Sequence, residues 1–211
     1  VNEQDQKSST QTVVGIDVGG KRKGFHAVAL LGGQFIRKTT DLDPSQIVAW
    51  SLEQKAKVIA VDAPCRWSLT GSCRRAERCL VSKGIRCFAT PVRTRAEAGK
   101  FYQWMLNGET LYQELATHYT LFDGTPILEP ICIETFPHAI VCAMAERVVS
   151  SKHKAEVRRA ALWRRGYDTR NLPNIDFIDA ALCAITAEEF RKGRYQCYGD
   201  CDEGYIVVPE K

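Results

Sequence analysis

The chain lacks any apolar run long enough to span a membrane. Residues 1–12, V-N-E-Q-D-Q-K-S-S-T-Q-T, lack the apolar core of a signal peptide and read as a flexible tail ahead of one folded unit over residues 13–211. No internal repeat or low-complexity linker divides that unit. Nine cysteines are present, yet no C-x2-C knuckle is among them. Cys65, Cys73, Cys79 and Cys87 follow C-x7-C-x5-C-x7-C spacing, which leaves a structural zinc as a lesser reading. Cys132, Cys142 and Cys183 read as small core residues, and Cys197 and Cys201 flank a turn. His26, His118, His138 and His153 form no H-x3-H pair or other ligand spacing. The expectation is a cytoplasmic protein with reduced thiols and no membrane partner.

What the chain does have is acids where buried elements end or begin. Asp17 lies in V-V-G-I-D-V-G-G, Asp62 in V-I-A-V-D-A-P, and Asp176 with Asp179 in N-I-D-F-I-D-A-A-L. The first two follow short apolar runs that read as buried strands. A carboxylate there is costly unless something requires negative charge. Taken singly, Asp17 before Gly-Gly also suits a turn, Asp62 before Ala-Pro a strand end, and Asp176 a helix cap. Asp179 sits inside an otherwise apolar helix and suits none of these.

The order of elements brings the acids together. Residues 13–19, 25–31 and 34–40 read as a three-strand meander, with Gly32-Gly33 as a tight turn. A helix over 44–55 leads to a fourth strand at 58–63, and 131–135 makes a fifth. Between them lie an irregular segment, 65–95, with a short helix at 74–82, and a long helix at 94–117 interrupted near Gly108. Helices at 138–148, 155–165 and 175–191 follow, then a terminal strand at 205–208. The fold class is α/β: a single domain whose five-stranded mixed sheet, in order 3-2-1-4-5, is flanked by helices. Strands one and four become parallel neighbours at a switch point, where ligands bind at carboxyl ends. Asp17 and Asp62 then stand side by side. Asp176 and Asp179, three apart, share a helical face, and Glu134 ends strand five.

Such a cluster suits Mg²⁺ or Mn²⁺. The net charge of +4 permits a nucleic-acid partner without demanding one. Basic residues gather over 66–100, nine against Glu77 and Glu97, and over 147–170, eight against Glu156 and Asp168. Either a phosphate contact or a solvated helix face explains them. Lys152, Lys154, Arg158 and Arg78 are the candidates for substrate phosphate, and Trp67, Phe88, Tyr102 and Trp104 for stacking on bases.

The ordered motifs G-I-D-V-G-G, V-D-A-P, C-R-R-A-E-R-C-L-V-S-K-G-I-R-C-F-A-T-P, F-Y-Q-W-M-L-N-G-E-T-L-Y, I-E-T-F-P-H-A-I, the 151–159 segment, N-I-D-F-I-D-A-A-L-C-A and Y-G-D…E-G-Y-I-V-V-P resemble the domain of unknown function 429 family, predicted RNase H-like nucleases. The resemblance runs over about residues 13–209. It implies an RNase H-like fold and a divalent-metal site made by Asp17, Asp62 and Asp179, with Asp176 alongside. The Asp176–Asp179 pair is similar to that of Holliday-junction resolvases. Where this family tends to carry an acid, the chain has Arg74, to which no role is carried over. The resulting expectation is a Mg²⁺- or Mn²⁺-dependent nuclease acting on DNA or RNA. Asp17 and Asp62 would bridge the cations, Asp179 would complete the second position, and Glu134 or Asp176 would orient water. Two alternatives stay open. A sugar-kinase or actin-like ATPase would need a second domain or a dimer and a second D-x-G-x-T motif, which the chain lacks. A non-catalytic nucleic-acid-binding protein would carry the acids without turnover.

Overall fold

A computed structural model describes residues 11–71, 73–125 and 130–210. The expected tail lies outside these, apart from Gln11 and Thr12. The meander forms as β1 (Val13–Val18), β2 (Phe25–Leu31) and β3 (Gln34–Asp41). Helix α1 (Pro44–Glu53) has Pro at its start and Asp43 as its cap, whose side chain accepts from the Ser45 backbone N–H. It leads into β4 (Val58–Asp62). The sheet order β3-β2-β1-β4-β6 matches the expected one, with β6 (Ile131–Thr135) as the fifth member.

Among the described residues the sheet has eight strands, not five. Beyond β6 it continues into β8 (Gly204–Pro209) and then β7 (Tyr195–Asp200), while β5 (Thr120–Leu121) pairs with β6 off this path. The sequence hid β7 because it is a half-exposed edge strand with no clean alternation, and β5 because two residues carry no period.

The expected long helix over 94–117 is three pieces: α3 (Arg93–Glu97), a 3₁₀ turn (Lys100–Tyr102) and α4 (Gln103–Leu115). The break falls at Gly99, whose backbone is extended (φ −118°, ψ 130°). Gly108 lies inside α4 instead, where a Cβ would come within 2.6 Å of the Ala63 Cβ. Its missing side chain lets α4 lie close against the end of β4.

Helices cover both faces. The alternation of β1 sends Val14, Ile16 and Val18 toward α1 and α4, which contribute Ile47, Leu111 and Leu115. Val13, Gly15 and Asp17 point the other way, toward α5 (Pro137–Met144), α6 (Lys154–Arg164) and α7 (Ile175–Arg191). Helix α7 packs directly on β1: a Cβ at Gly15 would lie 2.0 Å from the Ala180 carbonyl oxygen. Small residues Ala180, Cys183, Ala184 and Ala187 line that contact and are buried. The central helix is thereby held at glycine distance from the strand that carries Asp17.

Helix α2 (Arg75–Ser82) packs on the β7–β8 hairpin. Glu203, just before β8, fastens the chain leading into the first turn of α2. Its carboxylate accepts from the Ser68 hydroxyl and the Leu69 and Arg75 backbone N–H groups, at 2.9–3.1 Å. Among the described residues no helix is long and apolar enough to cross a membrane.

Candidate metal centre

Register places the acids. Asp17 pairs with Asp62 across the parallel β1–β4 ladder and with His26 across the antiparallel β1–β2 ladder. Helix α7 begins with Asn174, whose side chain accepts from the Phe177 N–H at 3.0 Å. With Asn174 as the cap, Asp176 is freed from that role, and both Asp176 and Asp179 face the strand ends from the first turns. Asp17, Asp62 and Asp179 offer oxygens within 4.8 Å of one another, and Asp17, His26 and Asp176 form a second such group. Among the described residues no cysteine belongs to such a group, so Cys65, Cys73, Cys79 and Cys87 do not assemble a zinc site there.

The cluster is electrostatically loaded. Burial, then the charge of Asp179, pushes the Asp17 carboxyl up to about 7 against the pull of Lys23. Burial, with Asp17 and Asp179 adding to it, raises Asp62 well above the carboxylate range. Burial also raises Asp179, although the Arg158 guanidinium bonds to it and opposes the shift. Lys23 places its ammonium 2.5 Å from Asp176 and 4.0 Å from Asp17. Asp17 Oδ2 is nevertheless buried without a hydrogen-bond partner. An all-oxygen group with an unpartnered buried oxygen and raised carboxyls fits a hard divalent cation.

A cavity of about 340 Å³ opens above these acids. Lys154 and Arg158 from α6 and Phe88 and Trp104 from the opposite wall line it. Lys152 and Arg78 do not. Lys152 is exposed in the turn before α6, and Arg78 sits on the solvent face of α2, donating to the Cys73 carbonyl. Trp67 donates to Glu109 at 2.7 Å and so is fixed outside the cavity wall.

Glu134 does not join the triad. It shares the parity of Cys132, which faces α4, so its side chain leaves the sheet on the opposite side from Asp62. Both its oxygens accept from Arg74, and one also accepts from the Cys65 N–H at 2.8 Å. Glu134 nevertheless lines the cavity above the acids, with its carboxylate anchored by Arg74. Arg74 is fully buried and bonds Glu77 as well, at 2.7 Å. Replacing it by Ala strands two buried carboxylates, and denaturant unfolding should register a loss of about 3 kcal/mol.

Sequence reasoning missed Lys23, and passed over His26 for want of a ligand spacing. Hairpin register was the available signal, since the turn after β1 sets His26 opposite Asp17.

Fold and site together define a mixed α/β protein with a carboxylate cluster at the switch point of its sheet. Residues 15–203 match the family model described as Protein of unknown function (DUF429), and the chain belongs to that family. A solved structure described as the Thermus thermophilus RuvC structure is 14% identical, covers 87% of this chain and 97% of that one, and superposes with a TM-score of 0.43. No curated protein matches the chain.

Proposed function

We propose that this is a divalent-metal-dependent nuclease of RNase H-like fold, one cytoplasmic domain over residues 13–211, that hydrolyses phosphodiester bonds of DNA or RNA. One observation carries the reading: Asp17, Asp62 and Asp179, from three separate elements, converge within 4.8 Å at the floor of an open cavity. Carboxylates buried this close repel one another unless protonated or bridged. A bound Mg²⁺ or Mn²⁺ would neutralise them and supply an activated water.

The chain's own residues supply the rest. Asp17 belongs to both groups and would be the ligand they share. Asp176 flanks it, held by Lys23. Lys154 and Arg158 line the cavity and would meet substrate phosphate, Arg158 once its pairing with Asp179 is released. Phe88, 61% exposed, and Trp104 present rings to an unpaired base.

The test is a cleavage screen on single-stranded, duplex, hybrid and branched DNA and RNA with Mg²⁺ or Mn²⁺. Cleavage is expected with the wild type and a loss of at least about a thousandfold with Asp17→Asn. Equal cleavage by the variant, or none by the wild type on any substrate, defeats the reading.

A further inference from the structure

We propose that His26 is a metal ligand, and that with Asp17 and Asp176 it forms a second cation position that prefers Mn²⁺ to Mg²⁺. This deepens the metal-centre reading above and rests on it.

The observations converge on one ring. His26 lies on β2 directly opposite Asp17, on the face of the sheet that meets α7. It is buried, and its Nδ1 has no hydrogen-bond partner; the other unpartnered buried side-chain atom among the described residues is Asp17 Oδ2. A buried polar atom without a partner is costly, and these two belong to facing residues of one strand pair. Its Nε2 lies 3.8 Å from Asp176 Oδ2, beyond hydrogen-bond range. The ring is held edge-to-face against Phe177, with centroids 5.1 Å apart, so its orientation is set by packing. One ligand atom from each of His26, Asp17 and Asp176 falls within 4.8 Å of the other two.

Lys23 is the competing occupant. Its ammonium stands against Asp176 and near Asp17, but its side chain is 49% exposed on the turn after β1. A side chain that exposed can swing to solvent when a dication replaces it. Lys23 therefore acts as the counter-charge of this position when no cation is bound.

The two positions differ in chemistry. Asp17, Asp62 and Asp179 offer oxygen alone, which suits Mg²⁺ and Mn²⁺ alike. The second group includes imidazole, a donor that suits transition metals and is poorly matched to Mg²⁺. Sharing Asp17, the two form adjacent sites with unequal preference.

The experiment strips the full chain with chelator and titrates it with Mn²⁺, following free Mn²⁺ by its electron paramagnetic resonance signal. Wild type is expected to bind two ions, with Mg²⁺ competing efficiently for one. In His26→Asn, a polar replacement close to the ring in size, the second ion should bind at least about tenfold more weakly while the first is unchanged. Spin-echo modulation from a ligating nitrogen should be present in the wild type and absent from the variant. A thermal melt confirms that the variant is folded; if it is not, His26→Gln takes its place. Unchanged Mn²⁺ stoichiometry and affinity in the folded variant, or no nitrogen modulation in the wild type, overturns the proposal. None of these readouts requires cleavage. A nitrogen-ligated second Mn²⁺ in a protein that cuts nothing would keep this site and remove the nuclease reading.

Discussion

Asp17→Asn is expected to melt well above the wild type when both are held in chelator at neutral pH. In the folded state the Asp17 carboxyl is pushed from 3.8 to about 7, first by burial and then by Asp179. Between those values the folded protein holds a proton that the unfolded chain has released. Stability from this group is therefore intact near pH 4 and is lost as pH rises toward 7. The shift corresponds to roughly 4 kcal/mol at neutral pH. An amide carries no charge and also relieves Asp62 and Asp179, so the gain is on the order of 10 °C in melting temperature. Melts in chelator from pH 4 to 8 should show the two proteins converging at the acid end. Adding Mn²⁺ should reverse the order, raising the wild type and leaving the variant where it was. A wild type as stable at pH 7.5 as at pH 5 in chelator would contradict this account of the cluster.

Gly15→Ala should be the most damaging single methyl group in the molecule. The added Cβ would sit 2.0 Å from the Ala180 oxygen and 2.1 Å from the Ala184 nitrogen, both backbone atoms of α7. No rotamer change relieves a clash with backbone, so the helix must move off the sheet. Helix α7 is buried over most of its length and also touches β2, β4 and β8, so displacing it opens several contacts at once. A loss of about 5 kcal/mol or more follows, at the upper end of what one substitution does. The same movement carries Asp179 away from Asp17, so any protein that still folds should bind Mn²⁺ at least about tenfold more weakly. Urea unfolding and Mn²⁺ titration check both halves. A Gly15→Ala protein with wild-type midpoint would mean that α7 does not approach β1 this closely.

The parts that were readable in the sequence had local causes. Strands β1, β2 and β4 are apolar runs bounded by Gly or Pro, and their order follows from a meander and one crossover. That order alone sets Asp17 beside Asp62. Asp179 stood out because nothing local explains an acid amid Phe177, Ile178 and Ala180. The face taken by Glu134 was not readable because β6 is buried on both faces, so Ile131, Cys132 and Ile133 gave no sign of which side each faced. Arg158 was assigned to phosphate because it follows strand five closely, and its pairing with Asp179 in the fold was not legible. Pairings of this kind depend on how α6 lies on α7, which no residue spacing encodes. The latch at Glu203 was invisible for the same reason.

That latch has a consequence for how the molecule comes to be made. Glu203 holds Ser68, Leu69 and Arg75 across sequence separations of 135, 134 and 128 residues. Contacts so distant form late, because a long loop must close before they are rewarded. As the chain leaves the ribosome, the meander and β4 can pair while the segment after β4 has nothing to fasten it. Until α7 docks, the paired Asp17 and Asp62 have an open sheet end in water, where mutual repulsion is weak. Their charge becomes costly only once α7 has docked and the hairpin has pinned the wall, so the order of assembly defers the least favourable electrostatics to the moment when most of the packing is already in place.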